Sequence, residues 1–201
     1  MCHRILVSLA TLGLLAGTAA TQIEPNSEPS SLGPLGGSAI SLVGDPTDAD
    51  HLLLVRYTEG LFASFDGAAT FDAYGAGLPS GVEELIPDPD DAQGLYARAG
   101  EGLYHSDDFG ATWSQLPIAP IEYFKNLAAA PGGRLLAVEH FDVYLSVDAG
   151  ATWTAVAAFV PYSGDVFASA RFSSDGSRAY LATFDGMLRS DNGGASFSNP
   201  D

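Results

Sequence analysis

Ser106-Asp-Asp-Phe-Gly-Ala-Thr-Trp113 and Ser146-Val-Asp-Ala-Gly-Ala-Thr-Trp153 are two copies of one pattern, Ser-x-Asp-x-Gly-x-Thr-Trp. Two looser copies flank them. Ser64-Phe-Asp-Gly-Ala-Ala-Thr-Phe71 has Ala68 in place of Gly and Phe71 in place of Trp. Ser190-Asp-Asn-Gly-Gly-Ala-Ser-Phe197 has Asn192, Ser196 and Phe197 in place of Asp, Thr and Trp. The four serines are 42, 40 and 44 residues apart. Self-similarity at such a period signals one supersecondary unit, repeated.

Outward from each copy the similarity continues. Gly60–Ser64, Gly102–Ser106, Asp142–Ser146 and Gly186–Ser190 each read as a short strand running into the pattern. Before them lie Leu52–Arg56, Leu95–Ala99, Leu135–Glu139 and Ala179–Thr183, rich in residues suited to half-buried strands. Earlier still come Ala39–Val43, Val82–Ile86, Lys125–Ala129 and Ala168–Phe172. Turns such as Asp45-Pro-Thr-Asp48 and Asp88-Pro-Asp-Asp91 join the first two strands. A fourth strand is expected to start at the Thr/Ser and aromatic pair. Four short antiparallel strands in roughly 40–45 residues are the signature of a propeller blade. No segment shows sustained helical periodicity. The expected fold is all-β, a β-propeller of four-stranded antiparallel blades. Its four units, an open or partial ring, span about 38–79, 80–120, 121–162 and 163–201.

The pattern is that of the Asp-box, or bacterial neuraminidase repeat. Residues 38–201 resemble Asp-box β-propellers as a class: sialidases, sortilin-type receptors, xyloglucan-active glycosidases and photosystem assembly factors. Turn chemistry alone accounts for each position. Gly110, Gly150 and Gly194 allow the positive φ that a tight hairpin demands. Asp108 and Asp148 can accept backbone N–H bonds across the turn, and the Ser106 or Thr112 hydroxyls can supply more. Trp113 and Trp153 are expected to fold back into the apolar layers. The structural set is therefore Ser64, Asp66, Thr70 and Phe71; Ser106, Asp108, Gly110, Thr112 and Trp113; Ser146, Asp148, Gly150, Thr152 and Trp153; Ser190, Asn192, Gly194, Ser196 and Phe197. In the resembled families the Asp-box lies away from the catalytic face, so it identifies a fold rather than an activity.

The 201 residues include 8 Lys+Arg against 25 Asp+Glu, a net charge of −17. That charge excludes electrostatic binding to nucleic acid, which requires a basic surface. At the N-terminus, Arg4 precedes the apolar run Ile5–Leu15 and the small residues Gly17-Thr-Ala-Ala20, which reads as a signal peptide over 1–20. The chain is expected to be secreted or periplasmic, with no integral membrane span after cleavage. Cleavage would remove Cys2, the one cysteine, and with it disulfides and thiolate metal sites. Residues 21–37, rich in Pro, Ser and Gly, read as a flexible linker.

Binding surfaces of propellers are loops. Glu59, Glu101 and Asp185 each fall five residues before the pattern's Ser, with Asp142 nearby in the third unit. Two readings stay open: a ring of carboxylates around a mouth that takes cations, basic peptides or sugars, or an acidic-Gly turn repeated by descent. Tyr74, Tyr123 and Tyr162 in the inter-blade loops are candidates for a contact patch or for blade packing. Arg56 and Arg98 both stand eight residues before their Ser, hence on equivalent second strands, where packing or a strand-face salt bridge is the ordinary expectation. His51, His105 and His140 have no metal-ligand spacing, and no catalytic residue, metal or cofactor is assigned.

Three functions follow from these features. The first is a non-catalytic binding module for a protein, peptide or glycan. The second is a sialidase-like or other glycoside hydrolase, which needs facing carboxylates or a substitute nucleophile. The third is a truncated propeller fragment without independent function, expected either to self-associate through its open blade edges or to be marginally stable, because closure is what removes sheet edges.

Overall fold

The structure, a computed structural model, describes residues 38–119, 121, 125–139, 142–156, 167–183 and 186–199, all within the unit Leu32–Asp201. The expected signal peptide and linker lie outside the described residues. Four antiparallel sheets follow one another along the chain. β1 (Ala39–Gly44), β2 (Leu52–Arg56), β3 (Gly60–Ser64) and β4 (Asp72–Ala73) form sheet 1. β5 (Val82–Pro87), β6 (Leu95–Ala99), β7 (Gly102–Ser106) and β8 (Ser114–Leu116) form sheet 2. Sheet 3 is β9 (Asn126–Ala130), β10 (Arg134–Val138), β11 (Val143–Ser146) and β12 (Thr154–Val156). Sheet 4 is β13 (Phe167–Phe172), β14 (Ala179–Thr183) and β15 (Gly186–Ser190), extended by a single antiparallel bridge between Arg189 and Ser198. No helix occurs among the described residues. The all-β blade architecture expected from the repeats is the one observed.

Alternation along each strand gives every sheet two apolar faces, and successive sheets bury them on each other. Leu53, Val55, Leu61 and Ala63 of sheet 1 pack on Leu85, Leu95 and Ala97 of sheet 2. Tyr96 and Leu103 of sheet 2 meet Leu127, Leu135, Ala137 and Tyr144 of sheet 3. Leu136, Val138 and Val143 of sheet 3 meet Ala170, Leu181 and Leu188 of sheet 4. The cores thus lie between blades rather than within them.

The Asp-box closes each third-to-fourth-strand hairpin by the same bonds. In sheet 2, Asp108 takes the Thr112 N–H on Oδ1 at 2.8 Å and the Thr112 hydroxyl on Oδ2 at 2.6 Å. The Ser106 hydroxyl donates to Asp108 Oδ1 at 2.8 Å while its oxygen accepts the Gly110 N–H at 2.8 Å. Ser64, Asp66 and Thr70 repeat this set, as do Ser146, Asp148 and Thr152. In the last copy the Asn192 amide keeps both bonds to Ser196 by reversing one of them, its Nδ2 donating to the hydroxyl at 2.9 Å. These bonds hold two consecutive residues at positive φ, as type I′ hairpin turns do. The pairs are Gly67–Ala68, Phe109–Gly110, Ala149–Gly150 and Gly193–Gly194, with Ala68 at +74° although it has a side chain.

The first residue of each pair then donates its N–H to the hairpin joining the first two strands of its own sheet: Gly67 to Asp50, Phe109 to Gln93, Ala149 to Gly133 and Gly193 to Ser177, at 2.8–3.1 Å. The turn also leans on the preceding sheet. A Cβ at Gly110 would stand 2.9 Å from Leu53 Cδ1, and one at Gly194 3.3 Å from Leu136 Cδ2.

Two expectations are corrected. The fourth strands begin one residue after the aromatic, at Asp72, Ser114 and Thr154, because the Thr is tied to the carboxylate and the aromatic turns away. Trp113 folds back and is buried, its Nε1 donating to Gly110 O at 2.9 Å. Trp153 is only half-buried and reaches sideways to Pro117 O in the preceding unit at 3.0 Å. Phe71 and Phe197 are likewise half-buried.

Bonds from Thr70 and Ser64 hold the Asp66 carboxyl down at about 2, and Asp148 is lowered by the equivalent Thr152 and Ser146. At Asp108 burial pulls upward, but Thr112 and Ser106 outweigh it and the result is again lowered. Carboxyls lowered on folding stabilise the native state above their ordinary value of 3.8, and that contribution is lost as pH falls through their folded values. The urea midpoint is therefore expected to drop on going from about pH 5 to about pH 2, and less so in Asp66→Asn. A backbone test uses two glycines at positive φ. A Cβ at Gly77 would lie 2.6 Å from Trp113 O, whereas one at Gly81 meets nothing within 4 Å. Gly77→Ala is expected to lower the melting temperature by several degrees more than Gly81→Ala, corresponding to about 1–3 kcal/mol.

Candidate functional site

The first strand of each sheet is paired on one side only, and contacts between successive sheets concentrate on these strands. An edge strand leaves backbone groups that side chains or ligands can satisfy. Residues at one register position do so from sheet to sheet. Glu84 pairs with Arg98, Asn126 with Val138 and Ser169 with Ala182. Glu84 Oε2 accepts the Leu127 N–H at 3.4 Å, and Oε1 accepts from Asn126 Nδ2 at 3.1 Å. Asn126 Oδ1 in turn accepts the Ala170 N–H at 2.7 Å. A polar ladder thus links sheets 2, 3 and 4.

Beside it runs a cleft of about 260 Å³ lined by Glu84, Ile86, Leu127, Ala129, Arg171 and Phe172 among others. Arg98 binds Glu83 and lies 3.7 Å from Glu84, while Arg171 Nη1 donates to Ala170 O at 2.7 Å. Burial raises the Glu84 carboxyl above the ordinary carboxylate range, against the pull of the Leu127 N–H and the Arg98 and Arg171 charges. Glu83 occupies a bulge at which the β5–β6 register shifts, and β1 and β13 carry bulges at equivalent places.

The carboxylates singled out from the sequence sit at the turns between second and third strands. Glu59 is joined to Arg56 at 2.8 Å. Glu101 is exposed, and so is Asp142, whose backbone carbonyl takes the Glu139 N–H at 2.9 Å. Asp185, Tyr123 and Tyr162 lie outside the described residues. Tyr74 is half-buried against the edges of Phe65 and His51, at 5.6 and 6.1 Å between centroids, and burial followed by the Asp108 charge raises its hydroxyl. Among the described residues no three His, Cys, Asp or Glu side chains converge to hold a metal ion.

Arg56 and Arg98 do lie on the equivalent second strands β2 and β6, but at different register positions. Leu52 faces Ser64 across sheet 1, but Leu95 faces Ser106 across sheet 2, because the first turn, Tyr57-Thr58-Glu59, is one residue longer. A one-residue slip reverses the face. Arg56 therefore corresponds to Ala99 and lies over the Phe62 ring at 5.3 Å, while Arg98 meets Glu83 and Glu84. Arg98 thus makes a strand-face salt bridge with Glu83 and Glu84 of β5, whereas Arg56 pairs with Glu59 of the adjoining turn.

Two histidine–aspartate pairs were not signalled by spacing. His51, buried and stacked on Phe65 at 4.4 Å, contacts Asp45 through Nδ1 at 3.1 Å. His105 contacts Asp88 through Nε2 at the same distance. Asp45 also accepts from Gln93 Nε2 of sheet 2 at 2.9 Å, so the pair braces adjacent blades.

A model of the BNR/Asp-box repeat family matches residues 104–115. The chain is built of Asp-box β-propeller blades. A xyloglucanase from a Paenibacillus species is 30% identical, the match taking 62% of this chain and 17% of the length of that relative. Among solved structures, an ancestral GH74 enzyme is similar with a TM-score of 0.64 at 21% identity, over 83% of this chain and 25% of its own. YCF48 bound to a D1 peptide is similar with a TM-score of 0.54 at 17% identity, over 81% of this chain and 54% of its own.

The ladder makes a stability prediction. Asn126→Leu strands the Ala170 N–H and removes a donor from Glu84, and is expected to cost about 1–3 kcal/mol in chemical denaturation. Asn126→Asp sets a second carboxylate against Glu84, so its deficit should be larger at pH 7 than at pH 4. An equal deficit at both pH values would contradict the contact.

Proposed function

We propose that the chain is an exported, non-catalytic Asp-box propeller module that binds a protein or peptide segment rich in basic residues. The observation that carries this reading is the division of labour among the acids. Asp66, Asp108 and Asp148 are held in their own turns, and Glu59 and Glu83 by arginines, whereas Glu101 and Asp142 stand exposed at turns between second and third strands. A net charge of −17 adds a field that attracts cationic segments. The cleft over the first strands, with an apolar floor and Glu84 at its side, offers an extended segment a seat beside edge backbone. The structural likeness to YCF48, seen with a peptide, is consistent with this use of the fold.

A carbohydrate-active role is the second reading, favoured by the similarity to a Paenibacillus xyloglucanase. Fluorescence anisotropy with a Lys/Arg-rich peptide and its Asp/Glu-substituted counterpart separates the two. Binding of the basic peptide alone, weakened at least about tenfold in Glu101→Lys/Asp142→Lys and by added salt, is expected. No discrimination between the peptides, together with release of reducing ends from xyloglucan or turnover of a sialoside, would replace the binding reading with the enzymatic one.

A further inference from the structure

The fourth Asp-box departs from the other three in a way that carries chemistry of its own. An amide stands where they have a carboxylate, and a glycine follows it directly: Asn192-Gly193. Such a pair meets both requirements for ring closure onto the main chain. The side-chain Cγ bears a leaving group, ammonia, and no side chain on the next residue obstructs attack by its backbone nitrogen. No other asparagine of the chain has this neighbour. Asn26 precedes Ser27, Asn126 precedes Leu127 and is buried, and Asn199 precedes Pro200, which has no N–H. In the first box, Asp66-Gly67 has the glycine, but its carboxyl, held down at about 2, is ionised and a poor electrophile.

While the turn stands, it keeps the reacting atoms engaged elsewhere. Asn192 Oδ1 accepts the Ser190 hydroxyl at 2.8 Å and the Ser196 N–H at 3.0 Å, and Nδ2 donates to the Ser196 hydroxyl at 2.9 Å. The nucleophile is held as well. Gly193 is buried, and its N–H donates to Ser177 O at 2.9 Å. Cyclisation requires that nitrogen to lose its proton and the amide to swing off its partners, so these bonds must open together. Asn192 itself is exposed to the water that the reaction consumes. That exposure belongs to the turn rather than to the end of the chain, because Asp108 and Asp148, with a sheet on either side, are exposed too.

We propose that Asn192 is a deamidation site gated by its own Asp-box. When the turn opens, hydroxide takes the Gly193 N–H proton, the nitrogen bonds to Asn192 Cγ, and Nδ2 takes a proton from water and leaves as ammonia. The resulting five-membered imide then takes up one water. Breaking its N–Cγ bond gives an aspartate at 192, the residue type of the other boxes, whose carboxylate accepts both an N–H and a hydroxyl from the residue four positions on. Breaking the bond to the main-chain carbonyl gives an isoaspartate, which lengthens the main chain by a carbon and prevents the turn from re-forming its bonds. A transient opening of the fourth unit is thereby made permanent, with one added negative charge. The peptide-binding reading is independent of this site.

The full chain is held in mildly alkaline buffer, native or in urea, and followed by peptide mapping, with isoaspartyl methyltransferase labelling to separate the two products. Position 192 is expected to convert before any other asparagine, and at least about tenfold more slowly in the native chain than in urea. Ser196→Ala removes the hydroxyl that accepts from Nδ2. Well below its melting temperature it is expected to react at least about threefold faster than the parent, with no change in urea, whereas Ser196→Thr is expected to keep the protection. Equal rates in the native and the urea-unfolded parent would overturn the proposal, and that comparison needs no variant to fold. Conversion at Asn26, Asn126 or Asn199 ahead of Asn192, or a native rate unmoved by Ser196→Ala, would overturn it as well.

Discussion

A single carboxylate bound by a threonine four residues on supports most of this structure. In each Asp-box with an aspartate, one oxygen accepts the Thr N–H and the other its hydroxyl, at 2.6–2.9 Å. Two residues can then stay at positive φ, a conformation most side chains avoid. The N–H released by that turn finds the hairpin between the first two strands, so both hairpins at one end of a blade are joined. Because the same turn rests on leucines of the sheet before it, local turn chemistry also sets the spacing between blades.

This arrangement explains why an acidic chain devotes so many acids to structure. Asp90 caps the Gly132 and Gly133 N–H groups of the following blade at 3.0 and 2.7 Å, and Asp45 receives Gln93 from the next. With Glu84 and Asn126 on the first strands, neighbouring blades are stitched at the Asp-box end and again along the cleft. Glu101 and Asp142, exposed at the opposite turns, take no part in these stitches, and the proposed function resides there and in the cleft.

The repeat made the architecture legible. Six strands, Leu52–Arg56, Gly60–Ser64, Leu95–Ala99, Gly102–Ser106, Ala179–Thr183 and Gly186–Ser190, carry the boundaries that spacing alone assigns to them. Counting failed where one residue had been added: the Tyr57–Glu59 turn, with Thr58 at a φ of +70°, shifts Arg56 out of step with Arg98. Ala68 shows that a Gly position can be kept at positive φ when the Ser64 and Asp66 bonds are present. The Glu84–Asn126–Ala170 ladder had no signal at all in the sequence. Its members are 42 and 44 residues apart and differ in chemistry, so only the juxtaposition of edge strands relates them. Trp153 could not be separated from Trp113 by pattern, because their burial depends on the loop contributed by the unit before.

Amide hydrogen exchange of the four Asp-box turns tests most directly whether these side-chain bonds hold the blades. The N–H groups of Thr70, Thr112, Thr152 and Ser196 point at side-chain oxygens from exposed residues, so without those bonds they would exchange as freely as any surface loop. Exchange as slow as that of the adjoining strands, and lost together with them on unfolding, is the predicted result. Exchange at unprotected rates in a chain whose strands remain protected would show that the sheets stand without the turns, and would contradict the account.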